Sequence, residues 1–338
     1  MERFEAHRFS VTRQLRYSRD ETRLSLDMAI FINGLPVATV ELKNRLTKQT
    51  VADAVQQYKR DRDPKELLFQ FGRCMVHFAV DDHEVRFCTH LKGQHSWFLP
   101  FNKGYNDGAG NPPNPAGLAT DYLWKEILTR GSLTEIIENY AQIVEEKDER
   151  SGRKSRKQIF PRYHLLAVVR KLLEDVRVNG AGKCYLIQHS AGSGKSNSIA
   201  WLAHQLVGLE PEDGALFDSV IVVTDRRVLD KQIRDRAIVK SGVQPDQAAL
   251  LLLSVLLFTS TSTPSLNFTP STTLARSLNP RIRRQRFSAL IPSLYNIASM
   301  VFRLTHPLAW SLRCRIVAKV DSTGFVVRMC TQCSAGKS

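Results

Sequence analysis

Two carboxylates and a lysine on a predicted hairpin form a first candidate site. The stretch RLSLDMAIFINGLPVATVELKNR alternates residue types on both sides of Asn33-Gly34, a pair typical of tight hairpin turns. Asp27 and Glu41 each lie seven residues from Gly34, and Lys43 follows Glu41 by two residues. With an odd loop or a β-bulge, Asp27 and Glu41 face each other on one side of the hairpin. With an ordinary two-residue loop they point to opposite faces.

This arrangement can support metal-dependent hydrolysis of a phosphodiester. Asp27 and Glu41 can share Mg²⁺, a hard cation that prefers oxygen ligands. The ion polarises the phosphodiester and lowers the pKa of a bound water, while Lys43 holds that water and stabilises developing charge. Without other observations, so short a pattern favours a solvated hairpin face with an ordinary glutamate–lysine pair. The metal-site hypothesis therefore requires a bulge or an odd loop.

A second candidate site is a phosphate-binding loop within YLIQHSAGSGKSNSIAWLAHQL. A predicted strand, a glycine-rich loop and a helix follow one another, and backbone N–H groups of such a loop bind phosphate oxygens. We expect Lys195 to reach the β- and γ-phosphates of ATP and Ser196 to ligate Mg²⁺. His189 replaces the first glycine of the strict pattern, and a fortuitous glycine-rich turn is the alternative. The remaining residues expected to bind nucleotide in this loop are Gly192, Ser193 and Gly194.

Length and composition limit the classes of protein to consider. The 338 residues allow two domains, and a net charge of +15 suits a polyanionic partner such as nucleic acid. Six scattered cysteines do not form a disulfide framework, and the N-terminus has no apolar signal region. The longest apolar run, residues 248–258, is too short to span a bilayer. We expect a cytoplasmic protein with no membrane contact.

The elements that hold these sites follow from local patterns. A helix is predicted in VADAVQQYKRDRD, two strands in CMVHFAVDDHEVRFCTHLKG, and two helical patterns with a break at Gly131. A helix with Leu166, Val169, Leu172 and Leu173 on one side precedes the strand of the phosphate loop, and a buried strand is predicted at Val220 to Val223. The predicted domains are residues 1–145, a charged linker at 146–157, residues 158–240, and a tail at 241–338.

The composition changes abruptly near residue 240. After it the chain has 11 basic residues but only two acidic ones, together with 14 serines and 9 threonines. Its apolar residues keep neither a helical nor a strand period for long. This segment resembles translation in a wrong reading frame, and we expect it to be disordered.

Taken together, these motifs resemble the restriction subunit of type I restriction–modification systems, over about Arg8 to Arg236. The resemblance implies an α/β chain in which a mixed-sheet nuclease of the PD-(D/E)xK type precedes an incomplete RecA-like parallel α/β domain. It implies a Mg²⁺-dependent DNA endonuclease, with Asp27, Glu41 and Lys43 as catalytic residues. The second domain begins an ATP-driven translocase of double-stranded DNA.

The resemblance also implies partners and an adenine site. In that family the subunit works with modification and specificity subunits. Arg162 and Tyr163 fall in the motif that contacts adenine, although Leu165 stands where the family has a glutamine. Ala54 likewise replaces a glutamine four residues before Tyr58.

Motor motifs are missing from the remaining sequence. After Arg236 there is no D-E-x-H motif to complete a Mg²⁺–ATP site, and no second RecA-like domain is recognisable. We therefore interpret the chain as a truncated restriction subunit whose motor does not function. An inactive DNA- or ATP-binding remnant and a free-standing nucleotide-binding regulator are the alternatives.

Overall fold

The chain forms two compact α/β units, Met1–Ala167 and Val168–Ser338. The computed structural model describes residues 5–106, 108–147, 154–180, 183–190, 192–209, 219–224, 250–254, 314–320 and 324–331. Within these ranges, none of the helices combines the length and apolar character that a membrane crossing requires.

A six-stranded mixed sheet forms the centre of the first unit, and its strands lie in chain order. They are β1 (Phe9–Arg16), β2 (Ser25–Ile32), β3 (Leu35–Leu42), β4 (Val76–Val80), β5 (Val85–Cys88) and β6 (Leu99–Pro100). All neighbouring pairs are antiparallel except β3 and β4, which run parallel. A parallel pair needs a crossover connection, and helix α1 (Val51–Arg60) lies in the segment between the two strands.

Helix α1 forms where the sequence predicts it. The N–H of Thr50 donates to the carboxylate of Asp53 at 2.7 Å, and this satisfies one exposed donor at the helix start. The helix buries one face at three- and four-residue spacing. That face, with residues of β2, β4 and β5, forms a hydrophobic core that includes Val51, Ala54, Val55, Tyr58, Leu26, Ala29, Ala79 and Cys88.

The two helical segments predicted after residue 120 are present, but their break lies elsewhere. A π-helical segment (Leu123–Ile127) precedes helix α2 (Arg130–Asn139), so Gly131 lies in the first turn of α2. The hydroxyl of Thr129 accepts the N–H of Ser132 at 3.4 Å and caps the helix. The break therefore lies at residues 128–129, two residues before the predicted position at Gly131, because Thr129 caps the start of α2.

The predicted charged linker is structured at both of its described ends. Strands β7 (Gln142–Lys147) and β8 (Lys154–Ile159) pair as an antiparallel ribbon. Glu145 lies opposite Arg156, a favourable pair of unlike charges, although Lys147 lies opposite Lys154 in the same ribbon. The described residues of the predicted linker, 146–147 and 154–157, therefore lie in paired strands. Residues 148–153 lie outside the described ranges.

A five-stranded sheet forms the second unit, in the order β11-β10-β12-β13-β9. Its strands are β9 (Cys184–Gln188), β10 (Ser219–Thr224), β11 (Leu250–Ser254), β12 (Cys314–Val320) and β13 (Gly324–Thr331). Helix α3 (Tyr163–Asn179) ends in this unit, and helix α4 (Lys195–Val207) follows β9. The face of α3 predicted to be apolar is buried at Leu166, Val169, Leu172 and Leu173.

Two expectations for this unit require correction. The sheet is mixed rather than parallel, because β13 runs antiparallel to both β12 and β9. Only three residues separate β12 from β13, and so short a connection permits only an antiparallel pair. The tail expected to be disordered also contains β11, β12 and β13. The β-branched residues of β12 and β13 favour strands locally, whereas the composition of the whole segment concealed this preference. The other tail residues lie outside the described ranges.

Candidate active site

A β-bulge in the hairpin of β2 and β3 aligns the two predicted carboxylates, Asp27 and Glu41. The turn is Asn33-Gly34, with φ of 51° and 80°, and Ile32 pairs with Leu35 across it. Ile30 then pairs with Ala38 but Phe31 with Pro36, so Val37 is the extra residue of β3. Pro36 has no N–H to donate to the ladder, which makes this a favourable position for a bulge.

The bulge confirms the predicted irregularity and sets the faces of the strands. Beyond it, Met28 pairs with Val40, and continuing this register places Asp27 opposite Glu41. Opposite residues of an antiparallel pair share one face. Without the extra residue the two side chains would lie on different faces.

Neighbouring donors hold the carboxylate of Asp27. Its Oδ2 accepts the N–H of Leu42 at 2.8 Å, and its Oδ1 accepts Nε2 of Gln14 at 3.4 Å. Gln14 has a left-handed φ of 49°, rare for a residue with a side chain, and its own Oε1 accepts the hydroxyl of Ser25 at 3.1 Å. A backbone conformation of this kind beside a candidate ligand is typical of functional sites.

Glu41 is fully buried, and only one of its two carboxylate oxygens is hydrogen-bonded within the described residues. Its Oε1 accepts Nε of Arg62 at 2.7 Å and lies 2.6 Å from Nη2 of the same guanidinium. Its Oε2 has no hydrogen-bond partner within the described residues. Burial raises the pKa of Glu41 to about 8; Arg62 opposes this rise, and the charge of Asp27 adds to it.

Lys43 lies one residue beyond β3. Its N–H donates to the carbonyl of Val80 at 2.9 Å, which extends the pairing with β4 past the strand end. Two residues after Glu41 on an extended chain, its side chain leaves on the same side as that carboxylate. The pKa of Asp53 is lowered, chiefly by hydrogen bonds from Thr50 and further by the charge of Lys43.

Arg62 belongs to this cluster, and sequence reasoning missed it. Its side chain is 4% exposed, and it donates through Nη2 to the carbonyl of Ser25 at 2.9 Å and through Nη1 to Tyr17 Oη at 3.2 Å. The sequence signal is weak, because the run KRDRD after α1 has the pattern of a solvated helix end. Only the fold brings this arginine against a buried glutamate.

The donor set fits a magnesium ion held by two carboxylates. Mg²⁺ is commonly bound through one or two carboxylates, with water and substrate phosphate as the other ligands. The buried Oε2 of Glu41, which has no hydrogen-bond partner among the described residues, and the adjacent carboxylate of Asp27 supply such donors. Within the described residues no group of three or more His, Cys, Asp or Glu side chains could hold a metal. A cage made entirely of protein ligands therefore does not fit there.

The phosphate loop of the second unit has the backbone expected of it where it is described. Gly192 and Gly194 have φ of 73° and 101°, conformations that glycine adopts without steric cost. Lys195 begins helix α4, and its Nζ donates to the carbonyl of His189 at 3.2 Å. The buried hydroxyl of Ser193 has no partner among the described residues. Half-buried Ser196 is the second residue of α4.

Of the two residues expected at adenine, Tyr163 begins helix α3 and Arg162 directly precedes it, and both belong to the first unit. The ring of Tyr163 packs edge-on against Tyr122 and Phe101, with centroids 5.2 and 5.8 Å away. The carbonyl of Arg162 accepts the N–H of Leu165 at 3.1 Å. The nucleotide roles of these two residues and of the loop stay predictions.

Comparison with known families gives two matches, one near the N-terminus and one that covers the phosphate loop. Residues 1–96 match the family described as Type I restriction enzyme R protein N terminus. This segment contains all three predicted catalytic residues. Residues 164–262 match the family described as SWI2/SNF2 ATPase, and this segment contains the phosphate loop.

Two curated proteins of Methanocaldococcus jannaschii are similar to the chain. The putative type I restriction enzyme MjaVIIP endonuclease subunit is 27% identical over 217 residues, which are 62% of this chain and 19% of the relative. The putative type I restriction enzyme MjaIXP endonuclease subunit is 22% identical over 236 residues, which are 61% of this chain and 20% of the relative. The chain thus spans about a fifth of the length of these relatives.

Proposed function

We propose that this chain, which resembles the restriction subunit of type I restriction–modification systems, has a Mg²⁺-dependent nuclease site for double-stranded DNA at Asp27, Glu41 and Lys43. The observation that carries the proposal is the bulge at Val37, because it brings two carboxylates from different strands onto one face. The match of residues 1–96 to the restriction family supports it. So does the mixed sheet with its β3–α1–β4 crossover, an arrangement compatible with a PD-(D/E)xK nuclease.

The residues have distinct roles in this proposal. Asp27 and the Oε2 of Glu41 hold Mg²⁺, and the hydrogen bond from Leu42 fixes the first of these carboxylates. The ion, when bound, polarises the phosphodiester and makes water a better nucleophile. Lys43 orients the attacking water and stabilises negative charge as it develops on the phosphate. The net charge of +15 favours association with the DNA backbone.

The second unit is proposed to bind ATP. Lys195 contacts the terminal phosphates, and Ser196 faces the accompanying Mg²⁺. The similarity to SWI2/SNF2 ATPases and the two left-handed glycines support nucleotide binding. Modification and specificity subunits are the proposed partners, by analogy with type I systems.

Cleavage of supercoiled plasmid DNA by the full chain tests the nuclease proposal. We expect Mg²⁺-dependent nicking that Lys43→Met lowers by about a hundredfold, the typical contribution of one positioned group of this kind. The matched control is Lys65→Met, which removes the same charge from an exposed position and should leave the rate unchanged. Equal rates in wild type and Lys43→Met would contradict the proposal. So would the absence of cleavage by folded protein, which favours a binding remnant.

A further inference from the structure

The guanidinium of Arg62 is held in place by Ser25 and Tyr17 as well as by Glu41. Nη2 is anchored to the carbonyl of Ser25, and Nη1 to the hydroxyl of Tyr17. The guanidinium carbon also lies 5.4 Å from the centre of the Tyr17 ring, within cation–π range. With only 4% of its surface exposed, this head group is a fixed part of the site.

Both nitrogens of Arg62 that reach Glu41 contact the same carboxylate oxygen. Nε lies 2.7 Å and Nη2 2.6 Å from Oε1. An arginine fork usually binds both oxygens of a carboxylate, whereas here one oxygen receives both contacts. Oε2 remains buried with no hydrogen-bond partner among the described residues. Glu41 can therefore offer an ion one oxygen but not two.

The number of oxygens that a carboxylate offers discriminates between cations. Mg²⁺ requires six ligands in near-octahedral geometry, whereas Ca²⁺ accepts six to eight and often takes both oxygens of one carboxylate. A glutamate restricted to one oxygen suits the octahedral ion and deprives the larger ion of a ligand.

We infer that Arg62 is a specificity-determining residue that selects Mg²⁺-like ions over Ca²⁺ by reserving Oε1 of Glu41. This inference rests on the proposed role of Asp27 and Glu41 as metal ligands. It assigns Arg62 a function beyond balancing a buried charge. Arg62 acts on the ion only through Glu41.

The test compares the affinities of the full chain for Mn²⁺ and Ca²⁺ by calorimetry, without nucleotide or DNA. Mn²⁺ is the octahedral probe, since it prefers the oxygen ligands that Mg²⁺ takes. The ratio of the two affinities is the informative quantity, because removing a positive charge changes the attraction of both divalent ions alike. We expect Arg62→Met to lower the Mn²⁺/Ca²⁺ ratio about tenfold, the smaller effect typical of residues that orient a metal ligand.

Four further variants make the outcome decisive. Arg62→Lys keeps a donor to Oε1 and should retain most of the selectivity, while Arg60→Met removes an exposed charge from the end of α1 and should change nothing. Where Arg62→Met does not fold, Arg62→Gln replaces it, with the same expected direction. Wild-type selectivity in a folded neutral variant overturns the inference alone. Metal binding that Asp27→Asn leaves unchanged overturns the proposed site itself.

Discussion

The two units of this chain position their candidate site residues in opposite ways. In the first unit, Asp27, Glu41 and Arg62 come from two strands and the segment after a helix, and hydrogen bonds to neighbouring segments hold them in place. In the second unit, the phosphate loop is one continuous segment, and the backbone conformations of Gly192 and Gly194 shape it.

The difference determines how each site fails. A site built from distant segments depends on strand register and on buried polar contacts far from the chemistry. A site built from one loop depends on local backbone conformation and on a few side chains. Substitutions should therefore disturb the first site by lowering the stability of the fold, and the second site by weakening the binding of nucleotide.

The largest effect is expected from a buried residue distant from the carboxylates. The side chain of Gln158 in β8 donates to the carbonyls of Cys74, Met75 and Thr89, at 2.8, 2.6 and 3.2 Å. Gln158→Ala leaves these buried acceptors without their donor, and we expect a loss of about 3 kcal/mol in the free energy of unfolding. Urea denaturation measures it.

The matched control for this substitution is the adjacent exposed residue of the same strand. Lys157→Ala should change the free energy of unfolding by less than about 0.5 kcal/mol. If Gln158→Ala lowered the free energy of unfolding as little as Lys157→Ala does, the contacts of Gln158 would contribute little to the stability of the first unit. The contrast between the two kinds of site would then be weaker than described.

A smaller effect is expected in the second unit, confined to ligand binding. Lys195→Met removes a charged donor to phosphate, and we expect ATP affinity to fall about thirtyfold, equivalent to about 2 kcal/mol. Titration with a fluorescent ATP analogue measures this, with Lys171→Met on the exposed side of α3 as control. Plasmid nicking by Lys195→Met should match wild type. A parallel loss of nicking would show that the two sites are coupled.

The smallest effect concerns a buried histidine in the first unit. The ring of His77 accepts or donates a 2.7 Å hydrogen bond with Thr39, and burial lowers its pKa to about 3. His77 becomes protonated below pH 6.5 in the unfolded chain but stays neutral in the folded chain. His77 therefore lowers the free energy of unfolding as the pH falls below 6.5. Relative to His77→Gln, the wild type should gain about 1 kcal/mol in unfolding free energy between pH 5.5 and 6.5.

The comparison with a variant is necessary because Glu41 acts in the opposite direction. Its pKa is raised to about 8, so the stability it provides is present at low pH and declines as the pH rises towards 8. This contribution is common to both proteins and cancels in the difference. Replacement of the exposed His95 by glutamine should leave the pH dependence unchanged, and an equal effect there would contradict the assignment to His77.

Local periodicity was sufficient to predict much of the fold. It located the β2–β3 hairpin, helix α1, strands β4 and β5, helix α3 and the strand–loop–helix order around Lys195. The need for a bulge also followed from the sequence, because the positions of Asp27 and Glu41 around Gly34 have the wrong parity for an ordinary hairpin. These inferences succeed because each depends on residues close together in the chain.

The remaining features depend on contacts between distant segments. Nothing near Arg62 in the sequence identifies Glu41 as its partner, 21 positions away. The pairing of β7 with β8 joins segments on either side of residues 148–153, and the antiparallel β13 depends on a short connection within a segment of unusual composition. Composition averages over such local signals, so it did not indicate the strands described within the predicted linker and tail.

The bulge at Val37 also has a genetic consequence. An in-frame deletion of this one codon would preserve every candidate catalytic residue and the reading frame. The shortened hairpin would then pair without a bulge, and Glu41 would turn to the opposite face of the sheet from Asp27. Among natural variants of this gene, loss of the three nucleotides that encode Val37 would disable the proposed metal site as completely as replacement of Asp27 or Glu41. A search for inactivating mutations that considers only substitutions would overlook it.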